Sequence, residues 1–133
     1  MKALVVGCGR VGALVAVGLH SRGHEVRVLD ANPQNFLRLP EELRDHITLQ
    51  RDIANEEDLL AVGIEEVDIV VAAAPRDTRN IFVAQIAKHR FGVERVVCHI
   101  SDPGRCEMYR VLGLGVVSPT QFVVDAVVQT VLQ

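Results

Sequence analysis

Short apolar runs alternate with longer amphipathic stretches from one end of the chain to the other. Short runs rich in Val, Ile and Leu are typical of strands buried on both faces, and the amphipathic stretches are typical of the helices that cover such strands. The predicted strands span residues 2–7, 25–30, 47–51, 67–73, 95–100 and 116–118. The predicted helices span residues 11–21, 33–39, 56–61, 77–91, 104–112 and 120–132.

This alternation predicts an α/β fold with a parallel sheet. Because crossovers between parallel strands are right-handed, we expect a Rossmann-like, doubly wound, six-stranded sheet with the strand order 3-2-1-4-5-6. A ligand crevice is expected above strands one and four, where the order reverses. The length of 133 residues favours a single domain, residues 1–133, with no second domain.

The last predicted helix, residues 120–132, is apolar on several faces, whereas a helix that closes a domain usually carries one apolar stripe. Its apolar residues are Phe122, Val123, Val124, Ala126, Val127, Val128, Val131 and Leu132. This excess predicts a second burial partner, which we expect to be another copy of the chain in a homodimer or a larger ring-like oligomer. The alternative is that the helix covers the edge of its own sheet.

A glycine-rich turn, Gly7-Cys8-Gly9-Arg10-Val11-Gly12, joins the first predicted strand to the first predicted helix. The unpaired N–H groups of that helix and the positive end of its dipole predict an anion site above the turn. Gly7 permits the tight turn, Gly9 lets the backbone approach a pyrophosphate, and Gly12 lets the helix lie close to the strand. The Arg10 guanidinium is expected to pair with phosphate, and the alternative is a solvated surface arginine.

Asp30 ends the second predicted strand, near the separation of about 20 residues expected between the glycines and a ribose-binding carboxylate. A carboxylate there accepts from ribose hydroxyls and repels a 2′-phosphate. We therefore expect NAD(H) rather than NADP(H), with ATP, ADP or AMP as alternatives. Asp30 could instead cap the turn that Asn32 and Pro33 begin.

Composition and charge argue against several classes of protein. The net charge of −3 leaves no basic surface for nucleic acid. The longest apolar runs are far shorter than the roughly 20 residues that span a bilayer. Met1 and Lys2 lead straight into the first predicted strand, which leaves no room for a signal peptide. We therefore expect a cytoplasmic protein without direct membrane insertion.

Neither the cysteines nor the histidines predict a metal site. The chain has three cysteines, Cys8, Cys98 and Cys106, so they cannot all pair in disulfides, and their spacing matches no zinc-ligand pattern. The histidines lie on separate elements, with no pair at i, i+4. We expect Cys8 to be a small residue in a crowded turn, and the alternative is a redox-sensitive thiol with a lowered pKa at the helix N-terminus.

The order of further short motifs makes the whole chain resemble the N-terminal Rossmann module of the RCK/KTN family, which includes regulatory subunits of Trk and Ktr potassium-uptake systems and gating domains of potassium channels. The residues that carry the resemblance are 7–12, 23–26, 28–32, 52, 59–60, 63–68, 70–73, 77–80, 102–103, 112–113 and 117–120. The second, smaller ligand-binding domain that is usual in this family is expected to be absent.

The resemblance implies a nucleotide sensor in which the glycine turn, with Arg10 and Val11, holds phosphates. Asp30, Ala31 and Asn32 then flank the ribose. These roles would make the domain bind a nucleotide as a signal and pass the signal to a membrane potassium transporter or channel.

The same resemblance places Asp52 and Ile53 near the adenine. Asp52 is equally well explained as a cap of the helix that follows it. Ala73 and Ala74, after the fourth strand, are expected to line the crevice. Asp77 and Asn80 are expected to cap the fourth helix rather than to touch ligand.

One residue departs from the family pattern. Where members commonly carry Arg or Lys at the end of the fifth strand, reaching toward ligand phosphate, this chain has His99. A neutral imidazole carries no charge and donates one hydrogen bond, so ATP loses a fixed counter-charge and becomes less favoured than NAD(H). A pH-dependent affinity also follows, unless His99 is simply a strand-end histidine.

Two functions fit a Rossmann fold of this kind: a nucleotide-sensing regulatory domain, and an NAD-dependent oxidoreductase or its cofactor-binding half. Hydride transfer needs a substrate pocket and usually a proton donor beside the nicotinamide. The sequence has no catalytic constellation near the crevice, and its one tyrosine, Tyr109, lies on the fifth predicted helix. We therefore expect regulatory binding without catalysis.

Overall fold

The computed structural model describes all residues, 1–133, and contains one six-stranded sheet in which every neighbouring pair of strands is parallel. The strand order is β3-β2-β1-β4-β5-β6, which confirms the predicted doubly wound, Rossmann-like topology. The strands are β1 (Lys2–Val6), β2 (Glu25–Asp30), β3 (Thr48–Gln50), β4 (Ile69–Ala72), β5 (Arg95–His99) and β6 (Gly115–Val117).

Helices follow the strands in sequence, and side chains or prolines define several of their starts. The helices are α1 (Arg10–Ser21), α2 (Glu41–Ile47), α3 (Glu56–Ala61), α4 (Asp77–Gln85), α5 (Pro103–Val111) and α6 (Pro119–Leu132). The side chains of Asn55, Asp102 and Ser118 accept hydrogen bonds from the first turns of α3, α5 and α6. Pro103 and Pro119 occupy the first positions of the last two helices, where the missing N–H costs nothing.

The sheet is covered by helices on both faces of its central part. Val5 and Val28 face α1 and α2, where they pack with Ala13, Ala16 and Ile47. Alternate residues face α3 and α4, and a smaller cluster joins β5 to α4 and α5. The residues at the centre of the second face are Leu4, Val6, Leu29, Leu59, Val70 and Val83. Burial on both faces explains why the strands read as continuous apolar runs.

Two predicted elements are wrong in detail. The sequence predicts a strand from residue 47, but Ile47 ends α2, a helix that the sequence pattern does not predict, and β3 begins at Thr48. Ile47 is buried beneath the sheet with Leu43 packed against the same cluster, so an i, i+4 pair outweighs the strand-like composition. The predicted helix 33–39 is a 3₁₀ helix, Pro33–Arg38.

The predicted helix 77–91 changes geometry along its length. It is α-helical over Asp77–Gln85 and continues as a π-helical turn over Ile86–Arg90. A short 3₁₀ helix, Ile64–Glu66, precedes β4 and was not predicted. This segment shortens the predicted strand 67–73 to Ile69–Ala72.

The final helix, α6, does not pack on the sheet. None of its residues is buried, and a groove of about 380 Å³ lies between α5, β6 and α6. Phe122 and Val131 expose 67% and 74% of their surface. The alternative that this helix covers the edge of its own sheet is therefore wrong, because the helix leaves its apolar side chains exposed.

Candidate functional site

The β1–α1 turn has no room for a side chain at its first and last glycines, Gly7 and Gly12. Gly7 has a φ of +103°, and a Cβ there would lie 2.7 Å from the amide nitrogen of Ala74. A Cβ on Gly12 would overlap the carbonyl oxygen of Gly7. Both glycines are thus required by the close packing of the turn, α1 and the end of β4.

Gly9 differs from these two because no atom beyond its own chain neighbours lies within 4 Å of the place where its Cβ would be. It occupies the N-cap of α1, and no side chain bonds to the first turn of that helix. The N–H groups of a first helical turn have no partner inside the helix. Open space, free donors and the positive end of the α1 dipole therefore coincide above Gly9.

Arg10 and Val11 begin α1 and are exposed. The Arg10 guanidinium takes part in no ion pair or hydrogen bond within the chain, whereas Arg90 pairs with Glu56 and Arg110 with Glu107. Its charge is therefore available to an anion above the turn.

Asp30 ends β2 and is held by three hydrogen bonds. Its Oδ2 accepts from the Cys8 amide at 2.8 Å and from Asn35 Nδ2 at 3.1 Å, and its Oδ1 accepts from the Asn32 amide at 2.8 Å. A carboxylate has about four acceptor positions, so one remains on Oδ1 for a ligand hydroxyl. Asp30 thus connects the glycine turn to the turn after β2. The alternative interpretation, in which Asp30 caps the turn that begins at Asn32, is therefore correct in part.

Two further predicted residues are engaged in local turns. Asn32 is the N-cap of the 3₁₀ helix and accepts from the Gln34 amide at 3.1 Å. Asp52 is exposed and accepts from the Ala54 amide at 2.9 Å, but the cap of α3 is Asn55. The interpretation of Asp52 as a helix cap is therefore wrong.

A pocket of about 280 Å³ lies at the carboxyl ends of β1, β2 and β4. Such a volume is close to the lower end of the range of ~300–1,000 Å³ for small-molecule sites. It is lined by Gly7, Asp30, Ala31, Asn35, Ile53, Ala74, Pro75, Arg76 and Arg79. The pocket brings together five predicted residues and adds four that were not predicted from the sequence: Asn35, Pro75, Arg76 and Arg79.

The missed residues carry a recognisable signal. Pro75 and Arg76 directly follow Ala73 and Ala74, and Arg79 lies one helical turn further on, so their position after a strand next to the switch point was sufficient to nominate them. Asn35 lacked such a signal because its Nδ2 reaches Asp30 only through the 3₁₀ geometry of its segment.

The carboxyl ends of β4 and β5 are held together by Asn80. This side chain is 1% exposed; its Oδ1 accepts from the Ala74 amide at 2.7 Å, and its Nδ2 donates to the carbonyl oxygens of Ala74 and His99. Asp77 accepts from the amides of Ser101 and Asp102. The prediction that Asp77 and Asn80 cap α4 is wrong, since both fix the loops beside the crevice.

His99 and Ala73 lie beside the pocket without lining it. His99 is the last residue of β5 and half-buried, and its Nδ1 is buried without a hydrogen-bond partner. Ala73 is buried, and its amide donates to the Val6 carbonyl at 2.8 Å. Gly9, Arg10 and Val11 do not line the pocket; they continue the turn from Gly7, which does, into α1.

The Cys8 thiol is not activated by its place beside a helix N-terminus. Burial, and then the negative charge of Asp30, raise the pKa of Cys8 from 9.0 to about 11, although Arg38 acts in the opposite direction. The thiol therefore stays protonated at neutral pH, and the alternative of a lowered pKa is wrong.

Comparison with known proteins decides the family, because the TrkA-N domain matches residues 3–120. The chain belongs to the TrkA-N family. A curated relative, the Trk system potassium uptake protein TrkA of Streptomyces coelicolor, is 35% identical over 99% of this chain. The match covers 59% of that relative, so this TrkA-N chain spans about three-fifths of its length.

Solved structures share the fold of this TrkA-N chain. The TrkA-N domain of the inner membrane protein ybaL from Escherichia coli superimposes with a TM-score of 0.82 at 18% identity, covering 97% of this chain and 95% of that one. The Kef C-terminal domain of Shewanella denitrificans in its AMP-bound form gives a TM-score of 0.77 at 19% identity, covering 98% of this chain and 80% of that one.

None of the helices of this chain is long and apolar enough to cross a bilayer.

Proposed function

We propose that this TrkA-N domain binds an adenosine nucleotide at the carboxyl edge of its sheet and thereby regulates a membrane potassium transporter or channel. The observation that carries the proposal is the open space over Gly9, beside an uncapped α1 and next to the pocket that contains Asp30. Phosphates would lie over Gly9, and the ribose would lie against the free acceptor position of Asp30.

The nucleotide is proposed to be NAD(H), or else AMP, ADP or ATP. The Asp30 carboxylate favours an unmodified ribose, since a 2′-phosphate would lie beside its negative charge. The AMP-bound Shewanella domain supports the wider class of adenosine nucleotides. In this proposal the contacting residues are those of the glycine turn and the pocket, with Asn32, Asp52, Ala73 and His99 at its border.

The proposed role is regulatory, and the cytoplasmic face of a membrane is its proposed place. The name of the Streptomyces relative, a potassium uptake protein, supports a potassium transporter or channel as the partner. The groups that line the pocket support binding rather than turnover. Apart from apolar and backbone groups they are a carboxylate, an amide and two guanidiniums, of which none is a ready proton donor to a nicotinamide substrate.

We further propose that two copies of the chain associate through α6, with larger rings as an extension of the same contact. The exposed apolar side chains of this helix support the proposal, because fully burying one Val, Leu or Phe contributes about 1.5–3 kcal/mol. Nucleotide binding at the β1–α1 turn would then change how two domains sit against each other.

The binding proposal is tested by calorimetric titration with NADH, NAD, AMP, ADP and ATP, after mass spectrometry of any nucleotide that copurifies. Arg10→Ala removes a side chain without internal partners, so the fold should persist while affinity falls at least about tenfold. Arg95→Ala, at the opposite edge of the sheet, is the matched control for charge. Equal affinity in the parent and Arg10→Ala would remove Arg10 from the site, and no binding of any of these nucleotides to the parent would overturn the proposal.

The regulatory part is tested with the protein and its membrane partner. Potassium uptake into cells or vesicles should respond to the bound nucleotide, and Gly9→Val should abolish the response. An uptake rate that is the same with and without nucleotide would contradict regulation.

A further inference from the structure

Two arginines at the start of α4 border the pocket and have no partner within the chain. Arg76 is the N-cap residue of α4, without a side-chain bond to the helix, and Arg79 lies one turn later. Both are exposed, and neither takes part in an ion pair or a side-chain hydrogen bond. Their charges therefore face the pocket without being neutralised.

The proposed phosphate position over Gly9 lies at the border of this pocket, which Gly7 of the same turn lines. Gly9 and Arg10 do not line this pocket, so phosphates above the glycine turn would lie outside it. With the ribose against Asp30, the pocket offers the base Ile53 and the loop after β4. The lining there is apolar, since it consists of Ile53, Ala74 and Pro75.

A purine in this position meets no aromatic side chain, because none lines the pocket. The planar guanidinium group can take that role, since it stacks on the face of an aromatic ring and also donates to ring nitrogens. We propose that Arg76 and Arg79 form the base-binding side of the site and hold a purine ring against Ile53. This inference rests on the proposed function, because it assumes a nucleotide whose ribose lies at Asp30.

The test compares ligands with and without a phosphate. AMP and adenosine are titrated into the parent, the double variant Arg76→Ala/Arg79→Ala, and Arg95→Ala as the control for charge, by NMR chemical-shift titration that reaches millimolar affinities. We expect the double variant to bind both ligands about five- to tenfold more weakly, with the ratio of the two affinities unchanged. In Arg10→Ala that ratio should fall, because Arg10 is proposed to contact phosphate.

A second variant separates ring stacking from charge. Arg76→Lys/Arg79→Lys keeps both charges but loses the planar groups, so it should bind AMP more weakly than the parent. Both sites are exposed, so the variants should fold like the parent.

Three results would overturn the inference. Unchanged AMP affinity in the double alanine variant would show that the arginines do not touch the ligand. A loss for AMP without a loss for adenosine would place them on the phosphate. A parent that binds neither AMP nor any other adenosine nucleotide would overturn the proposed function as well. The first two results leave nucleotide binding by the parent intact, so they contradict only the role of the arginines.

Discussion

The glycines of the β1–α1 turn are the same residue type with different physical requirements. Gly7 needs its positive φ, and Gly12 has no room for a side chain beside the Gly7 carbonyl. Gly9 has an ordinary extended backbone and open space in front of it. Its lack of a side chain is thus unexplained by the fold and fits a ligand that approaches the backbone.

At this scale we predict that Gly9→Val lowers nucleotide affinity and that Gly12→Ala lowers stability. Gly9→Val should change the free energy of unfolding by no more than about 1 kcal/mol, yet lower nucleotide affinity at least about tenfold. Gly12→Ala should cost more than about 2 kcal/mol of stability, because backbone has to move. Urea denaturation and calorimetry on the same preparations measure both quantities. A stable Gly9→Val that binds as the parent does would show that the space over Gly9 is not used.

At the scale of elements, α6 has an apolar sequence but lies exposed on the surface of a single chain. Its start is well defined by Ser118, which accepts from the Gln121 amide at 3.2 Å, yet no residue of the helix is buried. Isolated helices of this length are marginal in water, so most of their stability comes from packing of an apolar face. The helix therefore needs a surface that its own chain does not provide.

We predict that Phe122→Asp weakens self-association at least about tenfold, because it removes a contribution of about 1.5–3 kcal/mol and places a charge in the contact. Gln129→Asp is the matched control, since it adds the same charge at a polar position of α6. Sedimentation equilibrium over a concentration series measures the dissociation constants. A parent that remains monomeric at every concentration, or a Phe122→Asp variant that associates like the parent, would exclude α6 as the interface.

On the scale of the whole molecule, the buried thiols make stability depend on pH. Burial is the main cause that raises the pKa of Cys8 to about 11 and that of Cys98 to about 12, and it also raises the pKa of Cys106. The unfolded chain loses these protons near the ordinary value of 9.0, before the folded chain does. The folded state then binds more protons, so stability present below pH 9 is lost as pH rises.

We predict a fall in the free energy of unfolding of about 1.4 kcal/mol per pH unit for each of Cys8 and Cys98 between pH 9 and about 11. Urea denaturation at pH 7.5, 9 and 10 measures it. The decline should be shallower in Cys8→Ala, which removes one titrating group, and any loss from the smaller side chain is subtracted at pH 7.5. An identical slope in parent and variant would contradict the assignment to Cys8.

The order of apolar runs was sufficient to predict the parallel sheet and its strand order, because burial on both faces and right-handed crossovers leave few alternatives. The spacing from the glycine turn to Asp30 likewise nominated residues that the pocket does bring together. These features depend on local chain geometry, so the sequence carries them directly.

Only the tertiary structure decided the rest, since it depends on contacts between distant segments. Ile47 ends a helix because it packs beneath the sheet, and Asn80 ties β4 to β5 rather than capping its own helix. Arg76 and Arg79 border the pocket because β4 ends beside β1. The exposure of α6 also depends on distant segments. Its apolar residues predict that the helix is buried against some surface. Only the position of α6 relative to the sheet shows that the chain itself does not provide that surface.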